Sequence, residues 1–360
     1  MRTAIWINIG SVIVFILSAT TWTLLTTDYL NISQEGSINV KGAKTAIANT
    51  DKNYKEHRTG ESILESAITA VAVPEEEKLK EVEGPKKRDD AQDIYIRAKA
   101  SIAMDLESET ILYGKNVDTK LPIASLTKLV TALVVIDNIK NLDEKIVTID
   151  KETCQVSPTI VGCTTSTYCF SDTLKENERV KAKDLFEAML VNSANDAAIA
   201  LAKEVAGSQE EFAKLMNKKA REMGLKNSHF CNPTGLDDDD HPKRCYSSAE
   251  DVAQVVIYAF KNEKYRAVWD AFRVKEKWFE SVDGKLKHRF ATTNILFDTM
   301  PGCLGAKTGF TYQAGKTLML VASDKPNGRN KVVAVVLNDD YRFDDAKALI
   351  DWAFRSYRWK

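Results

Sequence analysis

The chain has 360 residues, room for one large domain or two small ones, and its 44% hydrophobic, 8% aromatic and 28% charged residues are those of a globular protein. Fifty Lys and Arg nearly balance 51 Asp and Glu. No global field draws such a chain toward a polyanion, so nucleic acid is excluded as the expected partner.

Residues 4–25, AIWINIGSVIVFILSATTWTLL, run for 22 residues without a charge, enough for a helix to cross a hydrocarbon core of ~30 Å. Arg2 and the amino terminus on one flank and Asp28 on the other predict a cytoplasmic N-terminus with the bulk of the chain outside. A cleaved signal peptide is the rival, since Ser18, Ala19 and Thr20 are small, but the long run without an Ala-x-Ala site favours an uncleaved anchor. Residues 1–30 are therefore expected to form a cytoplasmic stub and transmembrane helix. Residues 31–94 are polar, with the mixed-charge stretch PEEEKLKEVEGPKKRDD, and predict a flexible spacer before a folded domain over 95–360.

SIAMD and ETILYGK predict a hairpin, and the apolar run from Ser125, SLTKLVTALVVIDNI, predicts a buried helix. KIVTID suggests a strand, and the Ser-, Thr- and Gly-rich stretch from Cys154 to Ser171 an irregular excursion. Helical spacing recurs over 184–191, 196–205 and 209–223, and Ser247 with Glu250 has the spacing of a capping box. Lys316–Ser323 and Lys331–Leu337 predict strands joined through Pro326-Asn327-Gly328, and Phe343–Ser356 a closing amphipathic helix. Strands at both ends of a helical middle indicate an α+β domain.

Six cysteines, all beyond residue 150, suit an oxidising compartment and agree with export. Their pairing is open, with Cys231 and Cys245, flanking one loop, the first candidates. No Cys-x-x-Cys occurs and the four histidines are scattered, so no metal or other cofactor is expected. Asp237–Asp240 reads as a solvated turn rather than a calcium loop.

Ser125-Leu126-Thr127-Lys128 puts a hydroxyl and an amine three residues apart, on one face of a helix start. A serine hydroxyl becomes a useful nucleophile when a neighbouring base takes its proton, and a lysine serves once burial or a nearby cation lowers its pKa. Alone the pair is a coincidence of common residues. Two further elements follow in order: Ser193-Ala194-Asn195 between two helices, and Lys307-Thr308-Gly309 at a strand. Lys128 and Ser193 can relay a proton to a leaving amine, Asn195 can hold a substrate amide, and Lys307 offers fixed charge to a carboxylate. The backbone N–H groups of Ser125 and Phe310 are candidates for an oxyanion hole. Ser-x-x-Lys, a Ser-x-Asn turn and Lys-Thr-Gly form the three-part set of penicillin-binding serine enzymes.

Over nearly all of 95–359 the sequence resembles the D-alanyl-D-alanine carboxypeptidase family, the low-molecular-mass penicillin-binding proteins. The resemblance rests on LPIASLTKLVTA, SANDAAIALA, FCNPTGLDDDDHPKRCYSSAEDVA, GAKTGFTYQAG and RFDDAKALIDWAF. It implies a transpeptidase-like fold, an antiparallel sheet with flanking helices and a mostly helical subdomain. It also implies hydrolysis of peptidoglycan stem peptides ending in D-Ala-D-Ala through an acyl-enzyme on Ser125, without a metal, and acylation by β-lactams. Lys128, Ser193, Asn195 and Lys307 are the implied catalytic partners; Thr308, Gly309, Phe310 and Arg342 the implied substrate contacts, Arg342 toward the terminal carboxylate. Family members commonly carry a small β-domain and a C-terminal membrane helix after the catalytic domain, and here the N-terminal run is expected to replace that attachment. Cys154, Cys163 and Cys169 fall in a stretch without a counterpart in the resemblance, suggesting a disulfide-held loop near the site. DD-endopeptidase activity is a close variant. A β-lactamase would need a deacylating base such as Glu-x-x-Leu-Asn, which the sequence lacks, and a silent cell-wall scaffold would not need the intact set.

Overall fold

The run Lys331–Leu337, KVVAVVL, has no polar face, and a strand of that kind must be covered on both sides. The computed structural model does this with a five-stranded antiparallel sheet. It describes residues 83–163, 169–238, 241 and 244–360, together with five short strands near the N-terminus. Residues Met1–Leu79 and Lys80–Lys360 are two compact units.

In the larger unit the sheet strands are β1 (Ala100–Asp105), β2 (Ile111–Lys115), β3 (Cys303–Thr311), β4 (Gly315–Ser323) and β5 (Lys331–Leu337), in spatial order β3-β4-β5-β1-β2. The predicted hairpins are present, and the β4–β5 turn carries Asn327 in the left-handed region, φ 58°. Alternation divides the core in two. Met319, Val321, Val333 and Val335 face the helical layer. Leu318, Leu320, Val332, Ala334 and Val336 face Leu349, Ile350 and Trp352 of the closing helix.

The helices are α1 (Lys128–Asn138), α2 (Ala182–Val191), α3 (Asn195–Ala206), α4 (Gln209–Glu222), α5 (Ala249–Lys261), α6 (Arg266–Phe272) and α7 (Arg342–Ser356). α1 is buried along Lys128–Val135, as an apolar run without a polar stripe requires. Its first predicted residues, Ser125–Thr127, belong instead to a 3-10 turn, Ala124–Thr127. In place of the capping box the helix has a simple N-cap one residue later: Ser248, not Ser247, accepts from Asp251 N–H at 3.1 Å, while the Asp251 carboxylate accepts from Asn227 N–H and Ser228 Oγ. Ser247 is held extended by its backbone pairing with Leu121, so the helix starts one position later. The hairpin Glu276–Glu280 with Lys287–Ala291 went unpredicted.

The folded unit includes residues before 95. Lys86–Lys87 pairs with Tyr357–Arg358, and Trp352 Nε1 donates to the Gln92 carbonyl at 2.6 Å.

In the smaller unit, Ile5–Ile9 pairs with Val12–Ile16, and Leu30–Ile32, Ile38–Val40 and Ala43–Thr45 form a three-stranded sheet. The described residues of 4–25 are thus strands where the sequence predicts a helix. Ile, Val, Trp and Phe make that run apolar and are also strand formers, so hydropathy without periodicity does not separate the two. The rest of the run, and residues 46–82 of the expected spacer, lie outside the described residues. Among the described residues no helix is long and apolar enough to cross a membrane.

Candidate active site

Ser125 stands on the 3-10 turn where the chain enters α1, and two glycines let that turn be placed. A Cβ on Gly235, φ 78°, would lie 2.0 Å from the Ala124 carbonyl oxygen. A Cβ on Gly309 would lie 2.4 Å from Thr317 Oγ1 and 3.1 Å from the Ala124 side chain. The turn is therefore pressed between the Asn-Pro-Thr-Gly loop and the edge strand β3, with Thr317 Oγ1 donating to the Ile123 carbonyl at 3.2 Å. Ala124 itself has φ 49° and Ser193 φ 64°, left-handed values that cost a non-glycine residue roughly 1–3 kcal/mol and cluster at functional sites.

Lys128 is completely buried. Its Nζ lies 2.9 Å from Ser125 Oγ, 2.7 Å from Asn195 Oδ1 and 2.7 Å from the Thr234 carbonyl oxygen. Desolvation, then the charge of Lys307, holds its pKa well below the ordinary lysine value, with Asp196 opposing. A neutral amine has two N–H bonds and one lone pair. Asn195 Oδ1 and the Thr234 carbonyl only accept, so they take the two N–H groups and leave the lone pair for the Ser125 hydroxyl.

Lys307 is also fully buried and donates to Ser193 Oγ at 2.8 Å and to the Thr308 carbonyl at 2.9 Å. Burial, then the Arg342 guanidinium, lowers its pKa to about 7. Ser125, Lys128, Ser193, Asn195 and Lys307 thus meet in two linked hydrogen-bonded groups across the junction of α1, the α2–α3 turn and β3.

The remaining predicted residues sit around this centre. Strand alternation turns Thr308 away from Lys307, and its hydroxyl contacts Thr293 Oγ1 at 2.7 Å. Phe310 is half exposed and packs edge-on against Tyr312. Arg342 Nη1 donates to the Gly309 carbonyl at 2.6 Å and the Thr317 carbonyl at 3.3 Å, bracing β3 against β4.

Sequence reasoning assigned no role to Thr234 or Asp196. Asn232 Oδ1 accepts from Thr234 N–H, Thr234 Oγ1 and Gly235 N–H, the Asn-initiated turn that aims the Thr234 carbonyl. The Asn-Pro-Thr-Gly run was the available signal. Asp196 is fully buried, and desolvation raises its pKa to about 7 against donors at Val161 and Ala197.

The disulfides are Cys231–Cys245, the pair expected, and Cys163–Cys169; Cys154 and Cys303 are free. Asp238 lies near Cys231 and Cys245, whose sulfurs are consumed in the disulfide, so that group has no thiolates to offer a metal. Asp237 of the acidic run accepts from Thr311 Oγ1 at 2.7 Å and Gln313 N–H at 3.3 Å; Asp239 and Asp240 lie outside the described residues.

Comparison with known proteins gives the family and the fold. The family model for D-alanyl-D-alanine carboxypeptidase matches residues 86–341. D-alanyl-D-alanine carboxypeptidase DacF of Bacillus subtilis is 34% identical over 264 residues, 72% of this chain, which spans 63% of that relative's length. The crystal structure of D-alanyl-D-alanine carboxypeptidase from Mycobacterium tuberculosis superposes with a TM-score of 0.64 at 26% identity, covering 75% of this chain and 96% of that one. Ampicillin-bound penicillin-binding protein D2 of Listeria monocytogenes superposes at 0.60 with 26% identity, covering 73% and 99%. The chain belongs to the D-alanyl-D-alanine carboxypeptidase family.

Proposed function

We propose that this protein is a serine-type D-Ala-D-Ala carboxypeptidase that trims peptidoglycan stem peptides. The observation that carries the reading is the Lys128 amine, 2.9 Å from Ser125 Oγ with both N–H groups taken by acceptors. Ser125 gives its proton to the Lys128 lone pair as Oγ attacks the carbonyl between the two D-alanines. The N–H groups of Ser125 and Phe310 receive the developing oxyanion. Lys307, Thr308 and Arg342 hold the terminal carboxylate side, and Asn195 the preceding amide. Ser193 Oγ gives its proton to the departing amine and regains one from the Lys128 ammonium, so D-Ala leaves with Lys128 neutral again. Water, deprotonated by Lys128, then cleaves the Ser125 ester and restores the enzyme.

β-Lactams should acylate Ser125 by the same attack, the ring amide standing in for the D-Ala-D-Ala amide. We place the catalytic domain outside the cytoplasm, tethered through residues 4–25. The supporting features are the charge-free run and two disulfides, which persist in oxidising compartments. Protease accessibility on intact cells, with and without residues 4–25, tests the placement.

The enzymatic test is D-Ala release from a D-Ala-D-Ala peptide together with intact mass after penicillin, wild type beside Ser125→Ala. Release and a lasting adduct in the wild type only are expected. Neither in the wild type rejects the reading. Rapid penicillin turnover without an adduct would instead indicate a β-lactamase, and cleavage confined to crosslinked peptides an endopeptidase.

A further inference from the structure

His288 is completely buried, on the hairpin strand Lys287–Ala291, and takes no part in the chemistry above. Its Nδ1 lies 2.9 Å from the Asp172 carbonyl oxygen and its Nε2 2.5 Å from Glu178 Oε1. The carbonyl is an obligate acceptor, and the Glu178 carboxylate, whose other oxygen accepts Lys175 N–H at 2.9 Å, is an acceptor when ionised. Beside an ionised Glu178 both ring nitrogens donate, which is the imidazolium form. Glu178 and the Asp172 main chain face the ring, Phe279 stacks on it, and Asp196 interacts with it through space. The Lys287 and Arg289 side chains turn to the other face and pair with Glu280 and Glu276.

The segment that His288 grips leads to the site. Asp172 also accepts Lys287 N–H at 3.1 Å, and Ser171 Oγ accepts Arg289 N–H at 2.9 Å. Cys169 is joined to Cys163 by a disulfide, and Phe170 N–H donates to the Gly162 carbonyl at 2.9 Å. On the far side of that link three residues bond to the α2–α3 turn and the first residues of α3. Asn195 N–H donates to the Thr159 carbonyl at 2.7 Å. Asn192 Nδ2 donates to the Ile160 carbonyl at 3.0 Å, and Val161 N–H to both Asp196 oxygens at 3.0 Å.

We propose that His288 is a positioning residue for acyl transfer: as an imidazolium it grips one end of a disulfide-closed strap, residues 159–163 and 169–172, whose other end fixes the turn carrying Ser193 and Asn195. Asn195 fixes the Lys128 amine, so the strap sets the geometry of the general base. Displacements on the order of 1 Å at such a group cost about a hundredfold in rate. This deepens the proposed function and rests on Ser125 being the nucleophile.

The test measures the acylation rate constant and the noncovalent dissociation constant for a fluorescent penicillin, with melting temperature alongside. His288→Ala and the double variant Cys163→Ser, Cys169→Ser are each expected to lower the acylation constant about tenfold or more. The dissociation constant should change by less than the acylation constant, because Arg342 and the strand carrying Lys307 are not on the strap. Combining the two should cost little more than either alone. Glu178→Gln offers an amide N–H to a neutral ring and its oxygen to Lys175 N–H. It should recover most of the acylation lost in Glu178→Ala while ¹⁵N shifts report a neutral imidazole in place of the wild-type imidazolium. Folded variants that acylate at the wild-type rate, or effects that simply add, overturn the proposal, as does a neutral His288 in the wild type. If wild type and Ser125→Ala acylate alike, it is the nucleophile assignment that fails.

Discussion

The Nζ of Lys128 donates to the carbonyl oxygen of Thr234 at 2.7 Å, joining the Ser-Leu-Thr-Lys turn to the Asn-Pro-Thr-Gly loop. A main-chain carbonyl neither gains nor loses a proton, so this contact constrains the amine whatever the pH. With Asn195 Oδ1 it decides which electron pair faces Ser125.

Lys128→Met removes the base but leaves Ser125 on its turn. Acylation by penicillin should fall by about a thousandfold or more, ~4 kcal/mol of transition-state stabilisation, at the upper end for a single proton-transfer group. Stopped-flow labelling measures it. A loss below about tenfold would move the base elsewhere.

The pH profile should separate two lysines with opposite needs. Lys128 works neutral, and its depressed pKa places the rising acid limb below the ordinary lysine range. Lys307 works charged, and in the free enzyme it loses that charge as pH rises through about 7. The acylation rate constant divided by the dissociation constant should therefore fall on the alkaline side. In Lys307→Arg the cation persists, so the alkaline limb should move up by roughly a unit or more while the acid limb stays, since a cation still faces Lys128. An alkaline limb unmoved in that variant would assign it to another group.

The chemistry-bearing triplets could be read in the sequence because acyl transfer dictates residue type: a hydroxyl, an amine and a carboxamide cannot be replaced freely. Thr234 was not readable as a functional residue, since it acts through a carbonyl that every residue has. Gly309 was expected only as a substrate contact; a Cβ there would first meet Thr317, Ile123 and Ala124, so packing the nucleophile turn on β3 already requires a glycine. The strand Glu276–Glu280 was silent because Phe279 is its one buried residue, too little for a period-two pattern. Ser247 and Ser248 are chemically equivalent caps, and a tertiary bridge to Leu121 chose between them.

Gly309→Ala tests that packing. The added methyl would meet Thr317 Oγ1 at 2.4 Å and the Ile123 carbonyl at 3.0 Å, neither at the end of a flexible chain. Overpacking of this kind costs about 1–3 kcal/mol. Because the displaced element carries Ser125, acylation should drop by more than the loss of stability explains. Denaturant melts beside labelling rates check this, and a variant with wild-type values for both would mean that the turn has slack.

The disulfide Cys231–Cys245 bears on the same turn from the opposite side. Its ends are 14 residues apart, and the loop it closes contains Thr234, Gly235 and Asp237, which respectively accept from Lys128, abut Ala124 and hold Thr311. Closing a loop of that length contributes ~3 kcal/mol by restricting the unfolded chain. Replacing both cysteines by serine should therefore lower the melting temperature by several degrees. An unfolded-state effect alone would leave the folded site intact. If the link also keeps the Thr234 carbonyl on Lys128, the double variant should lose acylation rate at temperatures where it is fully folded, and Asn232→Ala, which dismantles the turn with the disulfide in place, should lose it too. A melting shift without a rate change in either variant would leave Asn195 as the sufficient anchor of the amine.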